Sequence, residues 1–169
     1  MKETQRKRMT SIRKITSTDL NFVYSLYMHP QINPYLLYEQ MDKTSFEPIF
    51  QELLKDGIMY IFEVENETAG MFKLIPLKHR CDHIAYLGSV AIGTNFAGKG
   101  LGKKMLQTII DFGRTLGLLR IELSVSITND KAIHLYESVG FEKEGIIRKY
   151  THLKSENRFL DEMLMSYLY

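Results

Sequence analysis

Asn95-Phe96-Ala97-Gly98-Lys99-Gly100-Leu101-Gly102-Lys103-Lys104 joins a strand to the strongest helix of the chain. Upstream, His83 to Ile92 is rich in small and apolar residues on both faces, as a central strand would be. Downstream, Leu101, Met105, Ile109 and Phe112 share one face of a helix from Leu101 to Leu116, and Gly117 stops it. Three glycines at alternate positions remove side chains, so the backbone can approach a ligand closely and tolerate unusual dihedrals. The free amides and positive dipole end of the helix then point at one spot, a ready anion site. Lys99, Lys103 and Lys104 add positive charge there, and a pyrophosphate is the natural occupant. A P-loop would need glycine at Ala97 and Ser or Thr at Lys104. A dinucleotide fingerprint would need its third glycine one residue later. The plainer alternative is a flexible loop with a glycine-assisted helix start.

Outward from the loop, other elements follow from periodicity. Leu119, Ile121, Leu123 and Val125 alternate with Arg120, Glu122, Ser124 and Ser126, which predicts a strand. A short helix is expected from Asp130 to Val139, then strands over Glu144–Leu153 and Arg158–Leu168. Toward the N-terminus, Thr10 to Lys14 reads as a strand, and Thr16 with Asp19 as a capping-box-like helix start. That helix carries Leu20, Val23, Leu26 and Tyr27 and stops near His29-Pro30. A second helix over Ser45–Lys55 ends at Asp56-Gly57. Met59–Val64 and Ala69–Pro76 form an antiparallel hairpin around Glu65-Asn66-Glu67-Thr68. The sum is a mixed α/β layer, a central sheet covered by helices.

With 169 residues, 44% hydrophobic and 25% charged, the chain has the composition of one globular domain. Residues 1–9 are expected to be a flexible arm, or Met9 an alternative start. No run suggests a membrane span or a secretory signal, so no membrane partner is expected. A net charge of +2 gives no case for nucleic acid. The single cysteine, Cys81, fits a cytoplasmic protein, and no metal site is expected.

A second motif follows the alternating strand: Asn129-Asp130-Lys131-Ala132-Ile133-His134-Leu135-Tyr136-Glu137-Ser138-Val139-Gly140-Phe141. With the glycine loop it resembles the GCN5-related N-acetyltransferase superfamily, where a loop R/Q-x-x-G-x-G/A precedes N-x-x-A-x-x-L-Y-x-x-x-G-F. Asn129, Ala132, Leu135, Tyr136, Gly140 and Phe141 match the second pattern in full, while Ala97 replaces the usual Arg or Gln. The resemblance is strong over residues 83 to 168 and rests on element order before that. It implies a twisted, mostly antiparallel sheet of about seven strands, flanked by about four helices and splayed between the fourth and fifth strands. Coenzyme A would lie in that splay as cosubstrate, its pantetheine arm pairing with Val90, Ala91 and Ile92. By the same resemblance, Ala97, Gly98, Lys99, Gly100, Leu101, Gly102 and Lys103 would hold the pyrophosphate, with Asn129 and Ala132 along the pantetheine.

For transfer of an acetyl group to an amine, the Val90 amide would stabilise the developing oxyanion. Tyr136 would protonate the sulfur. Many relatives carry a glutamate base where this chain has Tyr86, so a water relay polarised by Tyr86 or His83 is expected instead. The acceptor pocket would come from the loop His29–Tyr38 and the last hairpin, with His29, Asn33, Tyr35, Tyr38 and Tyr150 as candidate residues. Asp161 and Glu162 are weighed as binders of a cationic acceptor and set aside as solvated carboxylates. The C-terminal run looks like L-amino-acid N-acetyltransferases and ribosomal-protein alanine acetyltransferases. A free amino acid or small amine is therefore the first expectation, a protein N-terminus the second, and a non-catalytic acyl-coenzyme-A sensor the rival. A homodimer is common in such relatives.

Overall fold

The computed structural model describes residues 8–169, so most of the expected N-terminal arm, residues 1–7, lies outside the described residues. Among the described residues, strands β1 (Thr10–Lys14), β2 (Met59–Val64), β3 (Glu67–Pro76) and β4 (Ile84–Ile92) precede β5 (Arg120–Ser126), β6 (Glu142–Leu153) and β7 (Arg158–Leu168). Helices α1 (Leu20–Tyr27) and α2 (Lys43–Asp56) sit between β1 and β2. Helix α3 (Leu101–Thr115) joins β4 to β5, and α4 (Asp130–Glu137) joins β5 to β6. The seven strands form one mixed sheet in the order β1-β2-β3-β4-β5-β7-β6.

Element ends move where side chains or turns decide them. Helix α2 starts two residues before the expected Ser45, because the Asp42 carboxylate accepts the Ser45 amide at 2.8 Å and caps it. The β2–β3 hairpin is tighter than expected. Val64 pairs with Glu67 across a two-residue turn whose Glu65 and Asn66 have φ of 51° and 65°, a type I′ geometry that follows the strand twist.

The sheet separates two apolar clusters. On one face Phe62, Phe72, Leu87, Ile121 and Leu123 pack under α3 and α4 through Met105, Ile109 and Ile133. On the other, Met59, Ile61, Met71 and Ala91 pack under α1 and α2 through Val23, Tyr27, Phe46 and Phe50. Between β4 and β5, the parallel pair, register holds only from Ile84–Tyr86 to Arg120–Glu122. Beyond Tyr86 the two strands part, forming the expected splay.

Candidate active site

The glycine loop meets the first requirement of an anion cradle, a backbone that L side chains would resist. Gly98 and Gly100 have φ of 73° and 71°, and Gly100 is the N-cap of α3. A Cβ at either would meet nothing within 4 Å, so the loop face is open. At Gly102 a Cβ would sit 3.2 Å from Leu135, so that glycine lets α3 and α4 pack closely. Lys99 folds back, donating to the Asn95 carbonyl at 3.0 Å, while Lys103 stays exposed on the first turn.

A β-bulge in β4 prepares the wall of the splay. Lys73 of β3 pairs with Gly88 but Met71 pairs with Ala91, leaving Ser89 and Val90 without a register partner on β3 or β5. Ser89 adopts φ 51°, a left-handed conformation for a non-glycine residue, and its hydroxyl accepts the buried Tyr27 hydroxyl at 2.8 Å. The bulge thus sets Ser89 and Val90 out of the β3 register at the edge of the splay.

A cavity of about 550 Å³ opens along the splay. Val90, Ala91 and Ile92 line it on the β4 side, and Asn129, Ala132 and Tyr136 on the α4 side. Asn129 caps α4, its side-chain oxygen accepting the Ala132 amide at 3.2 Å, while its amide nitrogen makes no hydrogen bond among the described residues. Tyr136 is half-buried, packed on Phe141 with ring centroids 5.7 Å apart. Burial, with the nearby Tyr86 phenol second, pushes its hydroxyl above the ordinary tyrosine value. Ala97 and the loop beyond it lie outside the cavity's lining, at the end of β4 that leads to α3.

The deeper part of the cavity is polar. The Tyr86 and Ser124 hydroxyls lie 2.7 Å apart across the β4–β5 junction, and burial raises the Tyr86 phenol. Glu162 of β7 lines the same cavity and accepts the Thr151 hydroxyl. Asp161, beside it, turns away to accept the Lys149 amide at 2.7 Å. Of the acceptor candidates, Tyr35 and Tyr150 line the cavity. His29, Asn33 and Tyr38 do not. His29 accepts the Gln31 amide through Nδ1, and Asn33 staples its own loop by donating to the Tyr27 and Tyr38 carbonyls at 2.7 and 2.8 Å. Tyr38 stands behind the wall, against Lys73. His83, weighed as a relay, is exposed at the start of β4 and away from the cavity. Glu39 ties the α1–α2 loop to the β6–β7 turn, its carboxylate accepting the Lys154 amide at 2.7 Å and the Ser155 hydroxyl at 2.9 Å.

Sequence reasoning missed Lys73 and Ser124 and discounted Glu162. The signal for Lys73 was present: one lysine inside the otherwise apolar run Gly70-Met71-Phe72-Lys73-Leu74-Ile75.

A sheet that splays beside an open glycine-headed helix, with a tyrosine hydroxyl facing the gap, defines the class of acyltransferases that work on an extended cosubstrate. Residues 20–141 match the Acetyltransferase (GNAT) family, and the chain belongs to that family of N-acetyltransferases. The chain is 29% identical to the spermidine N(1)-acetyltransferase of Vibrio cholerae over 140 residues, 80% of each chain. A shorter stretch of 66 residues is 39% identical to the [ribosomal protein bS18]-alanine N-acetyltransferase of Salmonella typhimurium, 39% of this chain and 45% of that one. The fold is that of the Vibrio cholerae spermidine N-acetyltransferase solved with CoA and spermine. The TM-score is 0.81 at 24% identity, covering 94% of this chain and 95% of that one.

Proposed function

We propose that the protein transfers an acetyl group from acetyl-coenzyme A to a small primary amine, a free amino acid first among them. The observation that carries this reading is the bulged segment Ser89–Val90, set out of the β3 register and lining, with Tyr136, a cavity that the α1–α2 loop also walls. The residues present suit coenzyme A. The open left-handed glycines and the start of α3 fit a pyrophosphate, and the unpaired edge of β4 fits an amide-bearing arm. The Asn129 amide nitrogen is placed to donate to that arm.

Acetyl-coenzyme A supplies the activated acetyl thioester. The chain's own residues do the rest. The Val90 amide donates to the carbonyl oxygen as negative charge develops there. Tyr136, protonated at neutral pH because burial disfavours its anion, gives its proton to the departing sulfur. It is restored by the second proton that the nitrogen sheds as the amide forms. The incoming ammonium must lose a proton before its nitrogen can attack. Tyr86 holds its own proton, since burial raises it too, so it serves as a relay rather than the final acceptor. Glu162 lies close enough to raise the Tyr86 phenol further, and it receives the proton at the end of that path.

Exposed Tyr35 and Leu37 on the rim suit a second reading, a peptide N-terminus entering from the α1–α2 side. The deciding measurement is thiol release from acetyl-coenzyme A across amino acids, polyamines, aminoglycosides and short peptides. Release with amino acids is the expected result, and release with peptides alone would move the assignment to protein N-termini. No release with any amine would overturn the enzyme reading in favour of an acyl-coenzyme-A sensor.

A further inference from the structure

Lys73 is where the acceptor side of the cavity departs from what a polyamine would need. It lies in the middle of the sheet, 5% exposed, and its side chain forms part of the cavity wall. Register sets it opposite Met59 on one side and Gly88 on the other, hence on the sheet face covered by α1 and α2. Gly88 has no side chain to fill the space beside it, and Tyr86 follows two residues along the same face.

The surroundings of the Lys73 ammonium are incomplete. It donates to the Tyr38 hydroxyl at 3.2 Å, and it lies 5.1 Å from the Tyr38 ring centroid and 6.0 Å from that of Tyr27. An ammonium has three N–H donors, and a single neutral phenol satisfies one. Among the described residues no carboxylate forms an ion pair with it, and Asp56 acts on it only through its more distant charge. Desolvation accordingly pulls its pKa below the ordinary lysine value. A lysine kept in such a place is costly to the fold unless something anionic meets it. An apolar residue would fill the same volume without that cost.

Resting on the acetyltransferase reading above, we propose that Lys73 is the anion-binding residue of the acceptor pocket and receives the carboxylate of an α-amino acid. The amine end of the same molecule then faces Tyr86 of β4 and, across the splay from β3, Glu162 of β7. Ile32, Leu36 and Ile75 line the remaining wall and match an apolar side chain. The pocket is therefore shaped for a zwitterion, positive at β3 and negative at β7. The same ammonium repels a polyamine, whose every nitrogen is cationic at neutral pH.

The test compares L-leucine with L-leucinamide, which lacks only the carboxylate, and with spermidine, on the wild type, Lys73→Met and Lys73→Arg. Two readouts run in parallel: thiol release from acetyl-coenzyme A, and calorimetric binding of each amine to the coenzyme-A-loaded protein. In the wild type, leucine should bind at least about tenfold tighter than leucinamide, the loss expected for one charge-assisted contact, and spermidine should be the poorest. Lys73→Met should shrink the leucine preference to within roughly threefold, Lys73→Arg should keep most of it, and the KM for acetyl-coenzyme A should not move in either. A melting temperature of Lys73→Met at or above the wild type would show that the lost preference is not lost folding. Leucine binding no tighter than leucinamide, or a preference that survives Lys73→Met, overturns the assignment. Absence of thiol release with every amine overturns the acetyltransferase reading instead, and the calorimetric comparison still decides Lys73.

Discussion

The Tyr136 hydroxyl is the reacting-site group with the fewest obligations to the fold. Its ring packs on Phe141, while its oxygen makes no hydrogen bond among the described residues and faces a ligand-sized cavity. Tyr136→Phe removes one oxygen and leaves the packing, so folding and cofactor binding should survive. If the hydroxyl supplies the proton for the departing sulfur, kcat should fall on the order of 100-fold, the low end for a general acid. The dissociation constant for coenzyme A should shift by less than about threefold, since one neutral hydrogen bond is worth little more. Steady-state thiol release and calorimetry on the same variant separate the two, and an unchanged kcat would remove Tyr136 as the acid. At this scale the sequence was a partial guide. Tyr136 and Asn129 were legible because they sit at fixed places in a spaced motif. Lys73 was not, because a lone lysine in a strand ordinarily points to solvent, and only the pairing with Met59 and Gly88 turns it inward. Glu162 was read as solvated for the same reason. His29 and Asn33 belong to a loop that lines the cavity, but a loop's sequence does not say which of its polar side chains it spends on bonding itself.

The glycine loop and α3 act together, since the helix start is an anion site only if the loop lets its amides converge. Gly100, the N-cap, holds φ 71° with nothing near its missing side chain. Gly100→Ala should therefore be costly through backbone strain alone, roughly 1–2 kcal/mol for a left-handed L residue. Relief of that strain by rotating the cap would swing the first amides of α3 away from the spot where the proposed pyrophosphate would sit. The variant should lose melting temperature modestly and coenzyme A affinity clearly, with the affinity loss reduced for a truncated pantetheine thioester that carries no phosphate. Equal loss for the full and truncated thioesters would mean that the loop does not hold the phosphates. Elements as such were well signalled. The alternation in β5 and the one-sided apolar stripe of α3 are periodic over enough residues to outvote local noise, and both lie within a residue of expectation. The bulge at Ser89 was invisible. Serine has no preference for φ 51°, and the conformation occurs where β3 and β4 shift register and where Tyr27, 62 positions away, bonds the Ser89 hydroxyl. The element that most shapes the site is thus one that local sequence does not encode.

Across the whole molecule, each flank of the sheet is fastened by one arginine gripping two carboxylates. On the β1–β2 side, Arg13 donates to Asp19 at 2.8 and 2.9 Å and to Glu63 at 2.7 Å, tying the entry of α1 to the outer strands. Burial works to raise the Asp19 carboxyl, but Arg13 and the Thr16 amide outweigh it and hold it below its ordinary value. On the far side, Arg120 of β5 donates to Glu144 of β6 at 2.6 and 2.8 Å and to Glu122 at 3.0 Å, and Ser166 of β7 adds its hydroxyl to Glu144. Arg120, with Ser166 second, draws the Glu144 carboxyl from 4.5 down to about 2. A carboxyl depressed on folding binds fewer protons in the native state than in the unfolded chain, so its contribution is complete above the unfolded value and fades as acid is added. For Glu144 that window runs from 4.5 down to about 2, with Asp19 and Glu63 fading in the same direction. Urea midpoints should therefore fall steadily as pH drops through that window. Glu144→Gln should begin lower at neutral pH, because the Arg120 guanidinium keeps only Glu122 of its two charged partners, and then decline less steeply in acid. Glu144 is partly open to solvent, so added salt should narrow the gap between the two proteins at neutral pH. Parallel acid profiles for wild type and variant would mean that the Arg120 cluster does not hold the β5–β7–β6 flank, and that acid acts on the Arg13 side alone.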